Sequence, residues 1–152
     1  MKRFKIVLAL ITISVFLSCD TDRDDINLSK AEANALNLIV QNGEWQITQF
    51  SLNGSDRTAI YEDYIFVFEE ENNLSANSSI DQVTGTWRIN NDAGSEFDSY
   101  NDVDFNIFFT SNGKLGELTR NYDVISATNT EINLNLDMNE NGDTAILSFS
   151  KN

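Results

Sequence analysis

The sequence predicts an all-β fold: an eight-stranded antiparallel up-and-down barrel preceded by one short N-terminal helix. Three observations lead there. Apolar and polar residues alternate with a period of two through most of the chain, the alternating segments are joined by short polar links, and only one segment has helical spacing. At 152 residues the chain has room for one domain with its own core.

The first eighteen residues stand apart from that fold. Lys2, Arg3 and Lys5 precede an apolar run from Ile6 to Leu17, which gives way at Ser18-Cys19 to Asp20-Thr21-Asp22-Arg23-Asp24-Asp25. A charged start, an apolar stretch and a small residue make a secretory signal. The run of about twelve residues is shorter than the roughly twenty a membrane-spanning helix needs. Residues 1–18 are read as a signal peptide of the lipoprotein type and 19–28 as an acidic tether. Cys19 is the only cysteine, and its place after Phe16-Leu17-Ser18 resembles the bacterial lipobox. That resemblance implies lipidation of Cys19 and a membrane anchor of acyl chains such as palmitate. The acidic cluster behind it resembles the signal that sends some Gram-negative lipoproteins to the cell surface, so an outer-membrane or cell-surface location is expected. Without residues 1–18, seven basic residues face 24 acidic ones, a charge of −17. A body so acidic is not drawn to anionic headgroups, which leaves the lipid as the attachment.

Residues 29–152 form the predicted barrel domain. Ser29-Lys30-Ala31-Glu32 fits a capping box, and Ala31, Ala35, Leu36, Ile39 and Val40 recur at helical spacing up to Gly43, which predicts a helix over 29–41. Beyond it the period becomes two. Ile132, Leu134, Leu136 and Met138 alternate with Glu131, Asn133, Asn135 and Asp137, and Tyr64-Phe66-Phe68, Val103-Phe105-Ile107-Phe109 and Ala145-Leu147-Phe149 follow the same rule. The predicted strands are 44–53, 63–70, 74–79, 82–90, 103–110, 121–128, 130–138 and 143–150. Trp45 and Ile47 have the opposite parity to Phe50 and Leu52, which predicts a bulge near Thr48-Gln49. Short links such as Asn72-Asn73 and Asn139-Glu140-Asn141-Gly142 favour antiparallel hairpins, and eight such strands can close on themselves and remove exposed edges.

Composition excludes much chemistry. The chain has no His and one Cys, so imidazole bases, Ser-His triads, His-ligated metals and thiolate zinc clusters are ruled out. A net charge of −14, from 10 basic and 24 acidic residues, argues against a nucleic-acid partner. No motif calls for a cofactor. No spacing singles out a carboxylate pair suited to glycoside hydrolysis, and a non-catalytic protein is expected.

Gly43-Glu44-Trp45 opens the first strand just after the helix, and Gly85-Thr86-Trp87 repeats the form in mid-chain. Both resemble the Gly-x-Trp element of lipocalin-like domains. The order of signal, Cys, helix, first Trp strand, Tyr-x-Phe-x-Phe strand, second Trp strand and closing Leu-x-Phe strand is similar to lipocalin-like bacterial lipoproteins over about residues 38–152. The resemblance implies a barrel that can hold one small apolar ligand, with Trp45, Phe66, Phe68, Trp87, Phe105 and Phe109 as candidate lining residues. It also implies a late basic residue over the first Trp, for which Arg120 and Lys151 are candidates. Nine bulky inward groups, these six with Leu134, Leu136 and Phe149, argue that the interior is filled instead.

Two loops remain. Residues 91–102 hold four carboxylates, Asp92, Glu96, Asp98 and Asp102, with Phe97 and Tyr100 among them and no basic residue from Ile89 to Gly113. They are candidates for a calcium site or for contact with a basic protein partner, Phe97 and Tyr100 serving as a lid or an anchor. Asp137 to Gly142 matches the start of a calcium loop, but Ser148 stands where a bidentate Glu belongs, so a hairpin turn is expected. The sequence therefore supports two readings, a membrane-anchored carrier of a small apolar ligand and a protein-interaction or inhibitor module on a filled scaffold. It does not define an oligomeric state.

Overall fold

One extra residue in the first strand lets both of its apolar halves face the same way. The computed structural model describes residues 21–91, 103–110 and 113–152, with side chains from residue 30 onward. Strand β1 (Glu44–Leu52) has Trp45, Ile47 and Phe50 buried and Leu52 half-buried. Thr48 is inserted between Ile47, opposite Phe149, and Gln49, opposite Ser148, as the parity of the sequence requires.

The remaining strands are β2 (Ser55–Asp56), β3 (Ile65–Phe68), β4 (Asn73–Asn77), β5 (Gln82–Asn91), β6 (Val103–Phe108), β7 (Arg120–Ala127), β8 (Glu131–Leu136) and β9 (Ala145–Lys151). Every pairing is antiparallel. Each strand from β3 to β9 pairs with its neighbour in sequence, and β1 pairs with both β3 and β9, which closes an eight-stranded up-and-down barrel. β2 lies outside the closed ring, a two-residue hairpin partner of β1 turned by Asn53-Gly54.

The eight expected strands are the eight of the barrel, several of them shorter at their ends. β4 stops at Asn77 because Ser78 Oγ accepts the amides of Ile80 and Asp81, and a side chain replaces the ladder. β8 stops at Leu136, and Met138, expected on the apolar face, is exposed. The Asn139 side-chain oxygen takes the amides of Asn141 and Asp143, which sets the turn into β9 with Gly142 at positive φ.

The helix differs more from expectation. α1 runs from Thr21 to Gln41, so the chain is helical through most of the segment read as a tether. An acidic run is favourable at the positive end of a helix dipole and extends the helix beyond the Ser29 capping box. Its buried face is Ala33, Leu36 and Val40 with Ile39 half-buried, while Ala31 and Ala35 are exposed.

The two barrel ends are covered differently. α1 packs on β3, β5 and β6 at the end where β1 begins, adding Leu36 and Val40 to the core. At the other end the 3-10 turn Lys114–Leu118 inserts Leu115 and Leu118 beside Tyr61. Between them β5 and β6 approach closely at Gly85, where an added Cβ would stand 2.4 Å from the Phe108 carbonyl oxygen and 2.7 Å from Phe109 Cδ1. Backbone cannot yield as a flexible side chain can. Gly85→Ala should therefore cost about 1–3 kcal/mol, read as a lower urea midpoint; an unchanged midpoint would show that β6 can shift freely.

Candidate functional site

The barrel turns Trp45, Phe66, Phe68, Trp87, Phe105 and Phe109 inward, so the six candidate lining residues share one interior, each at most 3% exposed. Four of them, Phe66, Phe68, Trp87 and Phe105, join Phe149 in one set of ring contacts. Phe68 lies at the centre, 5.6 Å from Trp87, 5.4 Å from Phe105 and 5.7 Å from Phe149 between ring centroids. Phe66 is 5.5 Å from Phe149 and Trp87 is 6.0 Å from Phe105. All are edge-on or tilted pairs at attractive separations. At this level of the barrel the rings are in contact with one another.

Both indole N–H groups are used structurally. Trp45 Nε1 donates to the Val40 carbonyl at 2.8 Å, in the last turn of α1 where carbonyls lack intrahelical partners. Trp87 Nε1 donates to the Glu69 carbonyl at 3.0 Å and fixes the turn between β3 and β4. Gly43, at φ +117°, turns the chain sharply from α1 into β1 and so brings Trp45 beneath the helix. Of the two basic candidates, Lys151 stands opposite Trp45 in the β1–β9 ladder, its Cε 2.6 Å from where a Gly43 Cβ would be. Arg120 is at the other end, bonded to the Glu117 carbonyl and 3.5 Å from Asp143.

That second end holds polar groups the sequence did not single out. Tyr61 donates to the Lys114 carbonyl at 2.6 Å and Tyr122 to the Leu118 carbonyl at 3.2 Å. Arg57 pairs with Glu117 at 2.6 Å, and Lys114 Nζ lies 4.6 Å from the centre of the Tyr64 ring. Burial pushes both the Tyr61 and the Tyr122 phenol well above the usual range, and the Glu117 carboxylate adds to this at Tyr61. These contacts hold the 3-10 turn in the barrel mouth.

Cys19, Phe97, Tyr100, Asp92, Glu96, Asp98 and Asp102 lie outside the described residues. Their surroundings are partly defined: the stems of the acidic connection, Asn91 and Val103, are paired neighbours at the α1 end. Among the described residues no three acidic or Cys side chains are grouped to hold a metal. In the loop matching a calcium motif, Asn139 Oδ1 is engaged by two amides and Asp137 accepts Asn135 Nδ2 at 2.7 Å.

A concavity of about 500 Å³ lies on the outside of the barrel over β1, β9, β8 and the end of β7. Sequence reasoning assigned these polar positions to a solvated face. One signal was available: adjacent Val124 and Ile125 break the alternation of β7, and the structure has a bulge there, with Ile125 turned outward.

The chain was compared with models of protein families, with curated proteins and with solved structures, and none matches.

Two outcomes follow from this packing. Trp45→Ala and Trp87→Ala should each cost about 3–5 kcal/mol, seen as a lower melting temperature; parent-like melting of both would remove the indoles from the core. Unfolded phenols ionise near pH 10.0, whereas the buried ones stay protonated. The stability they provide is present below that pH and is lost as pH rises above it. Tyr122→Phe should therefore remain folded to a higher pH than the parent in an alkaline circular-dichroism titration, and an unshifted midpoint would contradict the burial of this phenol.

Proposed function

We propose that this chain is a lipid-anchored, non-catalytic protein of the outer membrane or cell surface, lipocalin-like in class. In this reading the barrel is a filled scaffold that carries an interaction surface. The observation that supports it is the ring-to-ring packing of Phe66, Phe68, Trp87, Phe105 and Phe149, between a helix over one end and Leu115 and Leu118 in the other. A carrier of a small apolar molecule, which the lipocalin resemblance implies, needs open interior space at that level. Contacts are instead assigned to the exterior and to the 91–102 connection, whose four carboxylates favour a basic protein surface.

The anchor is assigned to Cys19 from the sequence: basic residues, a short apolar run, then the single cysteine. No described helix is long and apolar enough to cross a membrane. Cys19→Ser should move the protein from membrane to soluble fractions, and continued membrane association would defeat the assignment. Native mass spectrometry of the purified chain should show no stoichiometric apolar passenger; finding one would restore the carrier reading.

A further inference from the structure

The outer face of β1, β9 and β8 carries two cross-strand rows. Gln49, Ser148 and Asn133 are paired positions in one row, and Ser51, Ile146 and Asn135 in the next. The rows floor the 500 Å³ groove, a volume typical of small-molecule sites. Bulges at Thr48 in β1 and Ile125 in β7 bend the strands on its two sides.

Its chemistry is unlike the rest of the molecule. The chain has 24 acidic and 10 basic residues, yet Asp137 is the one charged residue among the thirteen that line the groove, and its carboxylate is held by Asn135. The amides are oriented. Ser148 Oγ donates to Asn133 Oδ1 at 2.7 Å, and Asn133 Nδ2 donates to Ser126 Oγ at 3.1 Å and to Glu131 at 2.9 Å. Asn135 donates through Nδ2 to Asp137 at 2.7 Å, which fixes the orientation of its amide. Ile125 and Ile146, both exposed, supply aliphatic surface beside these polar groups.

We propose that this groove is a binding site for a neutral saccharide, whose hydroxyls bond Gln49, Asn135 and Ser148 while a C–H face rests on Ile125 and Ile146. Near absence of charge selects against ionic ligands, and rows of amide and hydroxyl groups beside aliphatic surface match a ligand with hydroxyls on its rim and C–H groups on its faces. The site is separate from the barrel interior, and it does not depend on the anchor.

The test is an NMR titration of the full-length, isotope-labelled chain in a phosphocholine detergent, which contains no sugar. Cellotriose, maltotriose and N,N′,N″-triacetylchitotriose are added to about 10 mM, with trigalacturonate as the charged comparison. At least one neutral trisaccharide should shift the Gln49, Asn133, Asn135 and Ser148 signals saturably, and trigalacturonate should not. Asn135→Leu and the exposed Gln49→Ala should each weaken binding at least about tenfold; Gln49→Ala carries the test if the first variant does not fold. The proposal is overturned by no saturable shift with any of the three sugars, by shifts outside the groove, by equal binding of trigalacturonate, or by undiminished binding to Gln49→Ala. Membrane fractionation of Cys19→Ser reads the anchor separately, so either result can fail alone.

Discussion

The closure of β1 on β9 is the constraint on which the other features depend. It joins residues about a hundred positions apart, such as Thr48 and Ser148, and it works only if both halves of β1 present apolar groups to the same interior. Thr48 makes that possible. Without the extra residue, either Trp45 and Ile47 or Phe50 and Leu52 would face water, and each large side chain so exposed forfeits about 1.5–3 kcal/mol of burial. Once β1 pairs with β9, the eight strands share an interior, no barrel strand is left with a free edge, and the rings around Phe68 are brought within contact. Because this pairing spans most of the domain, it must be formed at a high cost in loop-closure entropy, which makes slow folding the expectation for this topology.

Strand positions were legible because a barrel wall has one dry face and one wet one, and a period of two follows directly. The bulge was legible for the same reason: Trp45 and Phe50 cannot both face inward in a regular strand. Less was visible where structure rests on side-chain-to-backbone bonds. The plug at Leu115 and Leu118 has no periodicity, since it is a single 3-10 turn held by Tyr61, Tyr122 and the Arg57–Glu117 pair. The start of α1 was missed because its acidic sequence carries no apolar stripe; the favourable end of a dipole leaves no periodic mark.

The candidate site divides in the same way. The period of two places the candidate aromatics on one inward face, yet sequence cannot distinguish rings that line a space from rings that fill it, because both need the same parity. The structure adds the ring contacts around Phe68. The outer groove was hidden for the opposite reason: Gln49, Asn133, Asn135 and Ser148 look like any wet strand face, and only the register shows that they fall in adjacent rows. A closed barrel has the rigidity to hold such rows in place, since the strands beneath are pinned on both sides by ladder bonds.

The two indoles at one barrel end give the molecule an optical property. Trp45 is bonded to the last turn of the helix and Trp87 to the turn between β3 and β4, and both are withdrawn from water. Each has a different neighbour, so their emission senses different events. With Trp87 replaced by Phe, the remaining fluorophore reports whether α1 is seated on the barrel; with Trp45 replaced, it reports the integrity of the wall. A helix that lifts while the strands stay paired would break the Trp45 bond and keep the Trp87 bond, so the two emission spectra would redden to different extents, separating local opening from global unfolding without an added label.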